Sequence, residues 1–427
     1  MSDSPTRIGL LGYGTVGSAV DRLLTARQAD VARVVGAPVE VRRALVRDVN
    51  AQRDSAPRPG LLTSNFSDIR DDPSIAVVAE VMGGVEPTRG WILELFAAGK
   101  SVVTANKQLL ARHGAELFAA AEKHGVQLRF EASVCAAIPV VKVLRESMIA
   151  SEVNAVLGIV NGTTNFMLTK MAEGADYATV LAEAQRLGYA EADPTEDVTG
   201  SDAAAKVAIL ASIAFHTRVT IDDVPHQGID TLDSVDVTFA KDLGYSIKLI
   251  GQARRVEAGV VVGVAPTLVP HEHPLSGVNG SFNAVMLRGD AIREITLIGP
   301  GAGGDETASA VIGDLMGVLG TSNSGFLRAD SFFRDLPLVP ADAVESALYL
   351  RFDVRDEPGV LATLATILAE EQVSIDSVVQ RAADGRAQLV IVTHPAPEGA
   401  SRRAISRIAD LAVCDGPPVL LRVLAAR

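Results

Sequence analysis

The sequence predicts an α/β protein in three parts, and three stretches carry that prediction. Near the N-terminus a short apolar strand, Ile8-Gly9-Leu10-Leu11, runs into Gly12-Tyr13-Gly14-Thr15-Val16-Gly17 and then an amphipathic helix over residues 18–30. Between residues 221 and 300, apolar runs separated by turns read as the strands of a mixed sheet in an α+β domain. From residue 348 onward the pattern is β-α-β-β-α-β, a ferredoxin-like module.

The totals fit this division and exclude several classes. A chain of 427 residues has room for two to four domains with ample core. With 48% hydrophobic and 21% charged residues, the composition is that of an ordinary globular protein. The net charge of −13 and the lack of a basic run argue against a nucleic-acid partner. No apolar run approaches the roughly 20 residues of a membrane span, and the first residues lack a signal peptide's apolar core. The only cysteines, Cys135 and Cys414, fall in different predicted domains, so a cytoplasmic setting without disulfides is expected.

In the first part, G-x-G-x-x-G between a strand and a helix predicts a Rossmann-like dinucleotide-binding domain. Gly12 permits the tight turn, Gly14 lets a pyrophosphate approach the backbone, and Gly17 lets the helix pack on the strand. The helix N-terminus offers free N–H groups to the phosphates. The next strand, residues 39–46, ends in Arg47-Asp48. Arg47 can pair a 2′-phosphate, which favours NADPH; Asp48 can bond a ribose 2′-hydroxyl, so NADH is the alternative. Residues 75–82 form a buried strand followed by Gly83-Gly84, and residues 101–104 form another, with Ala105-Asn106-Lys107 at its carboxyl end. Lys107 there is either a solvated helix-start residue or a cation aimed at substrate. The strand 126–131 leads into Ala132-Ser133-Val134-Cys135-Ala136-Ala137-Ile138-Pro139. Glu131 with exposed carbonyls beyond it could hold a hard monovalent cation, Na+ or K+; the alternative is a tight domain crossover. Cys135 has no histidine placed to activate it and reads as a packing residue.

A second domain is expected over 139–300. Its strand 153–160 is followed by Asn161-Gly162-Thr163-Thr164-Asn165, either a capped helix start or a set of donors to a small polar substrate. The stretch 188–206 then packs Glu191, Asp193, Glu196, Asp197 and Asp202 together with no basic residue until Lys206. Ser201 or Asp202 can cap a helix reaching about residue 215, which puts Asp202 and Lys206 on one face of its first turn. An exposed ion pair is the plain reading, worth under about 1 kcal/mol; an acid and an amine that bind a zwitterion and move a proton is the functional one. Gly299-Pro300-Gly301-Ala302-Gly303-Gly304 opens a further helix, either as a hinge or as a return of the chain to the cofactor.

Taken together, these motifs resemble homoserine dehydrogenase over essentially the whole chain. The most specific part is Ala184, Gly188, Asp193-Pro194, Asp197-Val198, Gly200, Asp202 and Lys206; the N-terminal glycine motif, Thr104-Ala105-Asn106-Lys107 and Asn161-Gly162-Thr163-Thr164-Asn165 match in order. The resemblance implies NAD(P)H-dependent, reversible reduction of L-aspartate 4-semialdehyde to L-homoserine, on the route to threonine, isoleucine and methionine. It implies Lys206 as proton donor assisted by Lys107, Glu191 and Asp202 on the substrate ammonium, and Gly188 contacting substrate through its backbone; in these roles Asp202 and Lys206 need not bond each other. Glu196 drops out of the implied site. Tyr13, Thr15, Val16, Arg47 and Gly303 would touch the cofactor, with Gly12, Gly14, Gly17 and Lys107 around it, and Glu131 with the carbonyls of Val134, Ala136 and Ile138 would hold Na+ or K+. Many relatives have Ala-Gly-Gly where this chain has Cys135-Ala136-Ala137, a loss of backbone freedom. A partly desolvated Lys206 near other cations is expected to have a lowered pKa.

The C-terminal module resembles an ACT domain, with Asp356-Glu357-Pro358-Gly359 at its first strand-to-helix turn. It implies an amino-acid effector, threonine, or a purely oligomerising role. The expected domains are residues 1–138 completed by 301–335, residues 139–300, a linker over 336–348 and the ACT domain over 349–427, in a homodimer or homotetramer. Two other readings remain: an aspartate-semialdehyde dehydrogenase, which needs a cysteine nucleophile, and a non-catalytic nucleotide or amino-acid sensor.

Overall fold

Six short aliphatic runs in the first third of the chain form strands that pair in parallel with their neighbours: β1 (Thr6–Leu11), β2 (Val39–Leu45), β3 (Leu62–Thr63), β4 (Ile75–Glu80), β5 (Ser101–Thr104) and β6 (Leu128–Arg129). The computed structural model describes residues 5–53, 56–230, 232, 237, 240, 244–320, 345–383, 386–415 and 418–423. The strand order is β3-β2-β1-β4-β5-β6. It reverses between β1 and β4, and ligands bind in the crevice outside the carboxyl ends of such strands. Ile8 and Leu10 of β1 are fully buried beneath helices on one face, and Leu11, Ile75 and Val78 beneath those on the other.

The first helix is Thr15–Ala26, and a second, Gln28–Val35, follows a break at Arg27. The single helix expected over 18–30 thus begins earlier and is divided. Gly14 is its N-cap, so Thr15 is already helical. The helix Gly304–Leu319 lies alongside, its Ala308, Val311 and Leu315 buried in one core with Ala19, Val20 and Leu24.

The second sheet contains β7 (Val153–Ile159), β8 (Tyr245–Val256), β9 (Gly259–Pro270), β10 (Phe282–Gly289) and β11 (Glu294–Pro300) in the order β11-β10-β7-β8-β9. All four strand pairs are antiparallel. A parallel bridge from His226 to Val264 of β9 makes the sheet mixed. Helices Gly162–Ala172 and Ser201–Ala214 cover it. The second of these is buried on nearly every side; its alanines let sheet and neighbouring helix approach closely, and a Cβ on Gly251 of β8 would come 2.5 Å from Val207 Cγ2.

The chain divides into two units, Met1–Leu327 and Arg328–Arg427. In the second, β12 (Glu345–Arg355), β13 (Ile375–Ala383), β14 (Arg386–Thr393), the short β15 (Ala396–Pro397) and β16 (Val419–Val423) form an antiparallel sheet whose main order is β13-β14-β12-β16. Leu364 and Leu368 of the helix Val360–Glu370, with Ala404 and Ile408 of Glu398–Ala409, pack on Leu350, Phe352, Leu389 and Ile391. This is the expected ferredoxin-like layout. Residues 384–385, residues 321–335 of the expected domain completion and residues 336–344 of the expected linker lie outside the described residues.

Candidate active site

Three helix starts supply the charged residues. Thr104 ends β5, and Asn106 caps the helix Lys107–Lys123, its Oδ1 accepting from the Leu109 N–H at 3.0 Å. That cap puts Lys107 in the first turn at the carboxyl edge of the parallel sheet. In the second sheet, β7 runs into Asn161, whose Oδ1 accepts from the Thr164 N–H at 2.8 Å and caps the helix Gly162–Ala172. The third start is Gly200, in left-handed geometry (φ 85°), which precedes the helix Ser201–Ala214. Neither Ser201 nor Asp202 caps it, contrary to expectation; both are already helical, which frees the Asp202 carboxylate to turn inward.

Asp202 is 2% exposed and holds both lysines. Its Oδ1 accepts from Lys107 Nζ, and its Oδ2 lies 2.8 Å from Lys206 Nζ. Asn161 Nδ2 donates to the same Oδ2 at 2.9 Å and to Asp197 at 2.7 Å. Lys206 also donates to the Val160 carbonyl at 2.7 Å, leaving one of its three N–H donors for a ligand. The sequence left open whether Asp202 and Lys206 bond each other; here they do, and at a buried helix turn each is the other's counter-charge. The expected lowering of the Lys206 pKa is corrected as well. Burial lowers it, but the charge and hydrogen bond of Asp202, together with the other anionic neighbours, outweigh burial and hold it above the ordinary lysine value. Burial also pushes the Asp202 carboxyl up, and the charges of Lys206 and Lys107 overcome this and hold it below the usual carboxylate range. Asp197, half-buried beside them, is raised, mainly by burial.

The cofactor motif has the geometry of a cradle. Gly12 has φ 105°, and a Cβ on Gly17 would overlap the Gly12 carbonyl oxygen. A Cβ on Gly14 would meet nothing within 4 Å, so open space lies over the backbone there. The helix Thr15–Ala26 has no side-chain cap, and its first N–H groups stay available to phosphates. Gly303 has φ 135°, and a Cβ on Gly304 would come 2.8 Å from Thr15 Cγ2, so the second glycine-rich start does return to the first. Val16 is partly buried. Tyr13 is 6% exposed and its hydroxyl donates to Asp21 at 2.9 Å, with the phenol pushed up to about 12 by burial and by Asp21. Arg47 is exposed, while Asp48 accepts from the Asn50 N–H at 2.8 Å and is occupied in its own turn.

Glu131 is 6% exposed, and its two oxygens accept from the N–H groups of Val141 and Lys142, both at 2.8 Å. Burial pushes its carboxyl up to about 7. Ala136 has φ 40° and turns the loop, and the Ile138 carbonyl accepts from the Val140 N–H. Val134 is buried nearby. A buried carboxylate that, among the described residues, has no lysine or arginine bonded to it fits a monovalent cation chemically. Cys135 is fully buried, and burial pushes its thiol up to about 11, the opposite of an activated nucleophile. The charges of Lys206, Asp202 and Glu131 act on it, so this loop adjoins the lysine cluster.

Gly188 has φ 77° and ends the helix Tyr177–Arg186. Thr163 Oγ1 donates to the Tyr189 carbonyl at 2.5 Å, tying that turn to the Asn161 turn. Glu191 is exposed, and no hydrogen bond joins its side chain to Asp202 among the described residues. Glu196 takes a hydrogen bond from Gln108, on the exposed side. Sequence reasoning missed Asn161 as the amide that braces Asp202 and Asp197, and missed the Val160 carbonyl. The signal for Asn161 was available: a cap residue has a second amide atom that must find its own partner.

Residues 12–131 match the family described as "Homoserine dehydrogenase, NAD binding domain", residues 139–316 match "Homoserine dehydrogenase", and residues 348–412 match "ACT domain". The chain is 45% identical to a homoserine dehydrogenase of Corynebacterium glutamicum over 409 residues, 94% of this chain and 92% of that one. It is 42% identical to one of Pseudomonas aeruginosa, covering 98% and 99% of the two chains. The crystal structure of a homoserine dehydrogenase from Thiobacillus denitrificans superposes with a TM-score of 0.71 at 41% identity, covering 98% of both chains. With both catalytic-part families and full-length relatives in agreement, the chain belongs to the homoserine dehydrogenases, NAD(P)-dependent oxidoreductases that interconvert L-aspartate 4-semialdehyde and L-homoserine.

Proposed function

We propose that the reaction takes place at the Lys107–Asp202–Lys206 cluster, and the observation that carries this reading is the single buried carboxylate shared by two lysines. NADPH, when bound, supplies the hydride. Gly12, Gly14 and Gly17, with Thr15, Val16 and Gly303, would hold its phosphates and ribose, and Arg47 would pair a 2′-phosphate. Lys206 points its third N–H at the aldehyde oxygen and gives up a proton as that oxygen gains charge. Because Asp202 keeps Lys206 protonated at neutral pH, it acts as acid and electrostatic partner in the reducing direction. The reverse direction needs the free amine, so oxidation of homoserine gains rate as pH rises into the alkaline range. Asp202 and Glu191 hold the substrate ammonium with the backbone of Gly188, and Lys107 supports the carbonyl's polarisation.

Lys206→Ala tests the assignment directly. It is expected to lose kcat by roughly 10²–10⁴-fold while still binding NADPH, and near-normal turnover would contradict the role. Asp202→Asn leaves two ammonium groups without their counter-charge, an expected stability loss of about 3–5 kcal/mol together with loss of turnover.

The burial of a Glu131 carboxylate bonded only to backbone N–H groups supports a cation site at Glu131, Val134, Ala136 and Ile138. The Glu131 carboxyl lies at about 7 in the fold against an ordinary 4.5. A raised acid binds its extra proton only in the native state between those values, so its contribution to stability falls as pH climbs from 4.5 to about 7. A cation on the carboxylate takes the proton's place. In sodium- and potassium-free buffer the melting temperature should fall across that window, and Glu131→Gln should remove the fall. Potassium or sodium chloride, unlike choline chloride, should raise the melting temperature above the window; an equal effect of choline would sink the cation reading.

The module over 349–427 is read as an ACT regulatory domain taking threonine near Asp356-Glu357-Pro358-Gly359, with residues 1–138 and 139–300 as cofactor and substrate domains. Half-exposed Leu268, Ile298 and Phe282 on the second sheet support a homodimer or homotetramer formed there. No helix among the described residues is long and apolar enough to cross a membrane, and a cytoplasmic enzyme is the reading that fits the pathway. Initial rates should favour NADPH over NADH, with the preference lost in Arg47→Ala, and threonine should slow the full-length enzyme. No loss of preference, or no effect of threonine, would remove the respective assignment.

A further inference from the structure

Glu80 ends β4 with none of its surface exposed, and the chemistry above gives it no part. An aliphatic side chain would fill this strand end without the desolvation cost of a carboxylate. Glu80 instead closes a ring of hydrogen bonds. Its Oε1 accepts from the N–H groups of Met82 at 2.8 Å and Gly83 at 3.1 Å, and its Oε2 accepts from the Thr104 hydroxyl at 2.5 Å. The Thr104 oxygen in turn accepts from the Asn106 N–H at 3.0 Å. Asn106 Nδ2 then donates to the Gly84 carbonyl at 2.6 Å, while its Oδ1 caps the helix that starts at Lys107.

The ring joins two places that matter. On one side is the loop beside the cofactor cradle: a Cβ on Gly12 would come 3.1 Å from Met82 Cγ and 3.2 Å from the Met82 nitrogen. Gly83 and Gly84 both sit in left-handed geometry (φ 73° and 74°), and a Cβ on either would meet nothing within 4 Å, so packing alone does not select their conformation. The carboxylate selects it by holding consecutive N–H groups. On the other side is Lys107, whose ammonium must reach Asp202 from the adjacent strand end.

We propose that Glu80 is a positioning residue: it fixes the Met82–Gly84 loop and, through Thr104 and Asn106, the start of the Lys107 helix, so that cofactor cradle and Lys107 ammonium keep one separation. This rests on the reading of Lys107 as part of the site. Because hydride transfer is sensitive to displacements near 1 Å, loosening the ring acts on turnover as well as on cofactor affinity.

The test uses full-length Glu80→Ala, Glu80→Gln, Lys107→Ala and the Glu80→Ala/Lys107→Ala double variant, with kcat, KM for NADPH and melting temperature for each. Glu80→Ala should lower kcat by roughly 10- to 100-fold and raise KM for NADPH. Glu80→Gln should recover most of that loss, because its amide oxygen still accepts from Met82 and Gly83. In the Lys107→Ala background, Glu80→Ala should change kcat by less than about twofold, since coupled positions do not add. Unchanged kcat and KM in Glu80→Ala, equal losses in Gln and Ala, or multiplicative losses in the double variant would overturn the proposal. Should Glu80→Ala not fold, Thr104→Val breaks the ring at its hydroxyl: a fall in kcat supports the proposal and a wild-type kcat overturns it. Wild-type turnover in Lys107→Ala would refute the site reading itself, and Glu80 would then stand or fall on KM for NADPH alone.

Discussion

One buried carboxylate between two lysines sets the terms for the rest of the catalytic unit. Asp202 comes from the second domain's helix and Lys107 from the carboxyl edge of the parallel sheet, so their bond ties the two sheets of the catalytic unit together across the site. Removing a charge of this kind from water is costly, and further hydrogen bonds must help offset the cost. Asn161 donates one to Asp202, and the Val160 carbonyl accepts one from Lys206. Both come from the end of β7, which gives that turn its precise composition. The helix carrying Asp202 and Lys206 is rich in alanine for the same reason: small side chains bring the charged turn close to the sheet.

The electrostatics give the site a direction. A protonated Lys206 and an ionised Asp202 are the stable pair at neutral pH. An incoming substrate ammonium would compete with the lysines for Asp202, weakening the hold on Lys206 at the moment when its proton is needed. Substrate binding and acid strength are linked in this scheme through one carboxylate, without any need for a second conformation of the backbone.

Much of the architecture was legible in the sequence because it rests on local chemistry. A glycine motif between a strand and a helix predicts its own turn, and apolar alternation predicted the strands of the C-terminal module within a few residues. Boundaries shifted where a glycine rather than a polar side chain sets the cap, as at Gly14 and Gly200. The site was legible as a set of residue types but not as a set of bonds. That Asp202 and Lys206 lie four apart was visible; that both would be buried, and so paired, depends on packing by elements distant in the chain. The sign of the Lys206 pKa shift was misjudged for that reason. That the Tyr13 hydroxyl would be taken by Asp21 was likewise not visible in the sequence. Asn161 was visible as a helix-start residue within a motif, but the bonds of its amide to Asp202 and Asp197 join parts of the chain far apart in sequence and became visible only with coordinates.

A structure of the ternary complex with NADP+ and L-homoserine tests the central claim most directly. The account predicts the homoserine hydroxyl within hydrogen-bond distance of Lys206 Nζ and its ammonium on the Asp202 carboxylate, with Lys107 still at the same site. A hydroxyl directed away from both lysines, or an ammonium held with no contact to Asp202, would contradict it.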